Sequence, residues 1–210
     1  MMLDSLNAGL TQLACTISPQ QKQQLLGYLA LLHKWNQYTN LTAIRDPKSM
    51  LVKHIFDSLT VLPFLQGARH IDVGTGGGLP GMVLAICLPD QHFTLLDSNG
   101  KKCLFLKQAQ IELGLPNIDV RHQRVEQCQT TQPYDTVLSR AFTELSNMVN
   151  SGHALLSKHG RFLAMKSALA QHEVAALSKA WHATAHAVTV PQLSKPRVII
   201  EIVESFGKID

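Results

Sequence analysis

Apolar and polar positions change their period along this chain. Leu25, Leu29 and Leu32 recur at i, i+4 and i+7, with Leu26 and Trp35 beside them, the spacing of one helical face running to about Tyr38. Ser18 as cap, Pro19 in the first turn and Gln21 closing a capping box mark where that helix starts. Asn36 to Thr42 is a polar break. Asp46-Pro47 then opens a short helix carrying Met50, Leu51 and His54, followed by a further helical run from Ile55 to Leu65. Residues 1–66 therefore read as an N-terminal helical extension packed on the main domain, residues 67–210.

From residue 69 the pattern alternates strand and helix, which predicts an α/β fold with a mostly parallel sheet and helices on both faces. Strands are expected at Arg69 to Val73, Phe93 to Asp97, Ile118 to Arg121, Tyr134 to Ser139 and Arg161 to Lys166. Helices are expected at Gly81 to Leu88, through Lys101 to Leu113 with Leu104, Phe105, Ala109 and Leu113 inward, at Glu144 to Leu156, and at Ala168 to Trp181. A last pair, about Thr184 to Val190 and Arg197 to Val203, is joined by Pro191 to Pro196. Six residues allow an antiparallel hairpin but no helical crossover. The total is seven strands ending in a C-terminal antiparallel hairpin.

The strand ending at Val73 runs into Gly74-Thr75-Gly76-Gly77-Gly78-Leu79-Pro80-Gly81 and a helix start, the order that builds a nucleotide site. Gly76 to Gly81 fits a dinucleotide fingerprint, so nicotinamide and flavin cofactors enter the comparison. Asp72 opposes them. A carboxylate two residues before the first glycine repels a pyrophosphate and suits S-adenosylmethionine (SAM), which carries a sulfonium and an ammonium. Asp72, Gly74, Gly76 and Gly78 form the first motif of Rossmann-like SAM-dependent methyltransferases, and the terminal hairpin agrees with that fold. Asp97 lies near the spacing at which an acid takes ribose hydroxyls, the competing reading being a helix cap. Val125-Glu126, after the third strand, sits where an adenine would lie. Arg140, after the fourth, faces the cofactor and substrate entrance, and Lys166 ends the fifth on the same side.

Composition narrows this modestly. A formal charge of +4 permits an anionic partner such as RNA without requiring one. Lys48, Lys53 and His54 could meet phosphate, although a solvated helix face explains the lysines equally well. Cys15, Cys87, Cys103 and Cys128 are scattered and read as buried free thiols, with no metal site. The first residues lack a signal-peptide pattern and no apolar run suits a membrane span, so a cytoplasmic location is expected. The acceptor side is read by elimination. Position 139–142 is Ser-Arg-Ala-Phe rather than the Pro-Pro run of adenine amino-methyltransferases, and no Pro-Cys nucleophile occurs. Guanine N7 has its own lone pair and needs no base, as do other intrinsically nucleophilic acceptors.

Asp-Val-Gly-Thr-Gly-Gly-Gly-Leu-Pro-Gly at 72–81, Leu-Leu-Asp-Ser-Asn-Gly-Lys-Lys at 95–102 and Ser-Arg-Ala-Phe at 139–142 resemble the RsmG family, also called GidB. So do Leu-His-Lys-Trp-Asn at 32–36, Asn-Leu-Thr at 40–42 and His-Ile-Phe-Asp-Ser at 54–58. The resemblance implies a bacterial enzyme that methylates N7 of guanine 527 in the 530 loop of 16S rRNA, with the small ribosomal subunit as partner. It implies SAM contacts at Gly74, Leu79, Val125, Glu126 and Arg140, while Arg140, Lys166, Arg197 and Asn40 are candidates for the active site or the RNA. Many members carry proline where Gly77 stands here. The alternative is a SAM-dependent methyltransferase for another RNA, a protein or a small molecule.

Overall fold

The computed structural model describes residues 1–140, 144–168 and 171–205. Seven strands form one sheet: β1 (Arg69–Val73), β2 (His92–Asp97), β3 (Ile118–His122), β4 (Tyr134–Ser139), β5 (Leu156–Lys166), β6 (Trp181–Val188) and β7 (Arg197–Glu204). Their order is β3-β2-β1-β4-β5-β7-β6. The first five pair in parallel, and β7 runs antiparallel between β5 and β6. The order reverses between β1 and β4, and that switch point is where open α/β sheets bind ligands. Ile71, Phe93, Leu95, Val137, Leu138, Phe162 and Leu163 are fully buried, as strands covered on both faces require.

Helix α1 (Met2–Gln12) precedes α2 (Pro19–Thr39), which begins with the expected Ser18/Gln21 capping box. The side chains of Tyr28, Leu29 and Leu32 enter the same core as Met82, Val83, Phe105 and Leu106 from the helices that follow the glycine loop and β2. Trp35 also packs on Phe105, with ring centroids 5.7 Å apart. Polar residues of α2 complete the contact. The Gln21 amide donates to the carbonyls of Ile86 and Cys87, and that of Gln24 to Leu113, satisfying helix ends that would lack partners.

Next, α3 (Pro47–Met50) continues through a π-helical stretch (Leu51–Phe56) into α4 (Asp57–Leu59). The helix after the glycine loop is α5 (Gly81–Cys87), and α6 (Gly100–Leu113) ends on Gly114 in the left-handed conformation. After β4 comes α7 (Leu145–Gly152), and after β5 the short α8 (Gln171–Ala175).

Three expectations need correction. Leu104 is exposed; α6 buries Cys103, Phe105, Leu106 and Ala109, a stripe that leaves residue 104 on the solvent side. The helix expected over 168–181 is confined, among the described residues, to Gln171–Ala175. Trp181 instead opens β6, pairing with Glu204 and packing edge-on against Phe162, so sheet pairing and aromatic burial override local helix propensity. The strand β5 also starts earlier than expected, at Leu156, with a register shift between Tyr134 and Thr136 of its neighbour.

Candidate active site

The loop after β1 is held from below. Asp72 is fully buried, and its Oδ2 accepts from the Thr75 hydroxyl at 2.7 Å and the Gly81 N–H at 2.8 Å. Its Oδ1 has no partner. Burial, the largest influence, lifts this carboxyl to about 6. Gly74, Gly76 and Gly78 have φ of 68°, 61° and 93°, the left-handed region that glycine adopts without strain. A Cβ on Gly81 would lie 2.3 Å from Leu95 Cδ2, whereas one on Gly76 would meet nothing nearer than the Gly74 carbonyl at 4.0 Å. Gly77 lies outside the left-handed region; its carbonyl accepts from the Tyr28 hydroxyl at 2.6 Å, tying the loop to α2. Leu79 sends its side chain into the core and donates its N–H to the Thr75 carbonyl.

Asp97 joins the loop to the next helix. Its Oδ2 accepts from Gly76 N–H and its Oδ1 from Asn99 N–H, each at 2.8 Å, with Lys102 Nζ at 3.9 Å. Asn99 caps α6. The cap of α6 is thus Asn99 rather than Asp97, and each Asp97 carboxylate oxygen keeps a lone pair for a further donor.

A cavity of about 330 Å³ opens over the ends of β1, β2 and β3, lined among others by Gly74, Leu96, Asp97, Lys102, Val125 and Glu126. These residues fit SAM. Leu96 and Val125 offer apolar walls that would suit an adenine, Asp97 would accept from ribose hydroxyls, and Gly74 lines the cavity without a side chain. The unpartnered Asp72 Oδ1 would supply negative potential to a cationic methionine end bound over the loop. Asp72, Gly78 and Leu79 build the loop, while Gly74, Asp97, Val125 and Glu126 face the cavity.

A second cavity, about 440 Å³, lies over the ends of β4 and β5 and the start of β7. It contains Arg140, Lys166 and Arg197, and its far wall is the N-terminal extension: Thr42, Lys53, His54 and Asp57. Arg140, which the resemblance connects with SAM, lines this cavity rather than the first. Asp57, 4% exposed, stands between two guanidiniums, Arg140 Nη1 at 3.6 Å from Oδ2 and Arg197 Nε at 3.2 Å from Oδ1. Burial raises its carboxyl, against the opposing pull of both arginines. Lys166 pairs with Glu173 at 2.8 Å.

His54 and Thr42 are joined at 2.9 Å. His54 Nδ1 lies 3.0 Å from the Lys53 carbonyl, so Nδ1 carries the proton and Nε2 accepts from the Thr42 hydroxyl. Burial and the neighbouring Arg140 lower this imidazole to about 4. Asn36 holds the segment in place through Thr42 N–H and the Ile44 carbonyl. Asn40 ends α2 in the left-handed conformation and lines neither cavity. Asp57 carries no role in the sequence reading. The available signal is an acid set in the apolar run Ile55-Phe56-Asp57-Ser58-Leu59. Ala141 and Phe142 lie outside the described residues.

Fold and site together define a Rossmann-like methyltransferase. Solved structures share the architecture: an O-methyltransferase from Bacillus cereus in complex with SAH has a TM-score of 0.60 at 18% identity, covering 85% of this chain and 91% of that one. A precorrin-6y C5,15-methyltransferase from Geobacter metallireducens has a TM-score of 0.52 at 14% identity, covering 78% and 90%. The family described as rRNA small subunit methyltransferase G, GidB, matches residues 21–200. The ribosomal RNA small subunit methyltransferase G of Marinobacter nauticus is 50% identical, over 89% of this chain and 87% of that one. The protein of the same name from Erwinia tasmaniensis is 49% identical, over 96% and 98%. This chain belongs to the GidB family.

Proposed function

We propose that this chain transfers a methyl group from SAM to N7 of guanine 527 in the 530 loop of 16S rRNA, acting in the bacterial cytoplasm on the small ribosomal subunit. The observation that carries this reading is the division of the sheet edge at its switch point. One cavity is made by the glycine loop and Asp97; the other is walled by Arg140, Lys166 and Arg197. When bound, SAM supplies an electrophilic methyl on a sulfonium.

The chain's own residues then have three tasks. The glycine loop and Asp97 fix the donor. Arg140, Lys166 and Arg197 offer hydrogen bonds and positive charge to guanine O6 and neighbouring phosphates, leaving N7 unblocked. Because a guanine in a folded loop must be unstacked to be reached, the extension supplies the wall against which it rests. No proton is removed: the N7 lone pair forms the new N–C bond, the C–S bond breaks, and its electrons stay on sulfur. The second cavity suits that balance. His54 has its Nε2 occupied by Thr42, and Asp57 is engaged by two arginines, so neither serves as a free base. Alignment is what the site contributes.

In the test, labelled SAM is incubated with small subunits from cells lacking the corresponding enzyme and, in parallel, with free 16S rRNA, followed by mass mapping. Label as 7-methylguanine in the 530 loop, stronger with subunits than with free RNA, is the expected result. SAM binding with no label in either RNA would direct attention to another RNA, a protein or a small molecule as acceptor.

A further inference from the structure

We infer that Asp57 is a positioning residue for methyl transfer: it locks the guanidiniums of Arg140 and Arg197 in one arrangement over the acceptor cavity. The inference rests on the proposed acceptor role of that cavity. Arg140 follows β4 and Arg197 begins β7, strands separated in the sheet by β5. The two strands are not paired with each other. Two long side chains with many rotamers require a common anchor to present a fixed set of donors. Asp57 supplies it, with one carboxylate oxygen toward each arginine.

The local backbone explains how an extension helix reaches that far. Within the stretch Leu51–Phe56 the helix takes the wider π register, and the Asp57 N–H reaches back to the Val52 carbonyl. Such turns present backbone groups that a regular helix keeps engaged. The Lys53 carbonyl accepts from Arg140 Nη1 at 3.3 Å as well as from His54 Nδ1. Arg140 is therefore held from two points on one turn, Asp57 and Lys53. The guanidinium of Arg197 is oriented by the same carboxylate. The anion also offsets one of the cations in a cavity where a sulfonium donor and a positively charged 7-methylguanine product must both be tolerated.

The experiment uses the full chain with small ribosomal subunits, comparing Asp57→Ala, Asp57→Asn and Arg140→Ala, each with and without the other change. The expected result for either Asp57 variant is a kcat lowered by roughly thirtyfold to a hundredfold, with the KM for subunits and the Kd for SAM within about threefold of the parent. Combined with Arg140→Ala, the loss should fall short of the product of the single losses by about tenfold or more, since both changes remove one arrangement. If Asp57→Ala unfolds, the reading is taken from Asp57→Asn, which keeps the volume. An Asp57→Asn variant with kcat within about threefold of the parent overturns the inference. So does a loss of SAM affinity matching the loss of kcat, or a double variant that shows the full product. A parent chain inactive on subunits would instead overturn the acceptor assignment beneath it.

Discussion

The two cavities occupy neighbouring strand ends of one sheet and are built in opposite ways. On the donor side, the central stretch, residues 72–81, is contiguous, and most of its contacts are backbone groups: Gly76 and Gly81 N–H on two carboxylates, the Gly77 carbonyl on Tyr28. In the cavity proposed for the acceptor, Thr42, His54, Asp57, Arg140, Lys166 and Arg197 come from five separate segments, and side-chain charge does the holding. A site for an invariant cofactor can be made of backbone shape. A site for a polyanion needs cations, and several cations in one cavity need anions to set them apart.

The sharpest break in that comparison is at Gly81. Its substitution by alanine drives a Cβ into Leu95 and to 2.9 Å from the Asp72 side chain, both of them fully buried. Gly81→Ala should cost on the order of 3 kcal/mol of stability in urea unfolding. Gly76→Ala makes no clash and should cost only about 1–2 kcal/mol for its φ, while weakening SAM strongly. Equal unfolding midpoints for the two would refute a loop held from beneath.

Next in size is a pair of opposed pH effects, one from each side. Folding raises Asp72 from 3.8 to about 6, so the folded state binds the proton more readily. Its ionisation costs stability above that pH, and the cost is relieved as pH falls towards the unfolded value. Folding lowers His54 from 6.5 to about 4, so its contribution is complete above 6.5 and is lost as pH falls towards 4. Each effect is on the order of 3 kcal/mol, at about 1.4 kcal/mol per pH unit. They oppose each other between about pH 4 and 6 and flatten the parent's profile there. Asp72→Asn should therefore lose stability on acidification across that window, and His54→Asn should gain it. Parallel profiles for parent and variants would show that these two groups do not control acid stability.

Arg140→Ala tests which cavity the arginine serves. Because it lines the second, kcat should fall about a hundredfold while SAM affinity changes by less than about threefold. A large loss of SAM affinity in equilibrium dialysis would return Arg140 to the donor side. The smallest effect belongs to Tyr28→Phe, which removes the buried 2.6 Å bond to the Gly77 carbonyl. It should cost about 1–2 kcal/mol and weaken SAM several-fold. An unchanged SAM affinity would show that α2 covers the loop without shaping it.

The donor side was the more legible for a physical reason. The left-handed glycines, the acid before them and the acid at the end of β2 are local requirements, and local requirements are written as short motifs. Five of the seven strands are found where their apolar runs predict, within a residue or two at each end. The exceptions, β5 and β6, are strands whose limits are set by what they pair with. On the acceptor side, Arg140, Lys166 and Arg197 could be nominated from strand ends, but Asp57 could not be given a role. Its two partners lie 83 and 140 residues away in the chain.

The sequence by itself therefore determined the alternation of elements, the seven-stranded α/β class, the terminal hairpin and the glycine loop, because periodicity and φ preference act over a few residues. Only the tertiary structure decided that Trp181 would start a strand rather than end a helix. It alone decided that Asp72 would lie under the loop with one oxygen unpartnered, and that an extension helix would carry an acid between two arginines. Those outcomes depend on burial and on charges brought together from distant segments, and neither has a local signature in the chain.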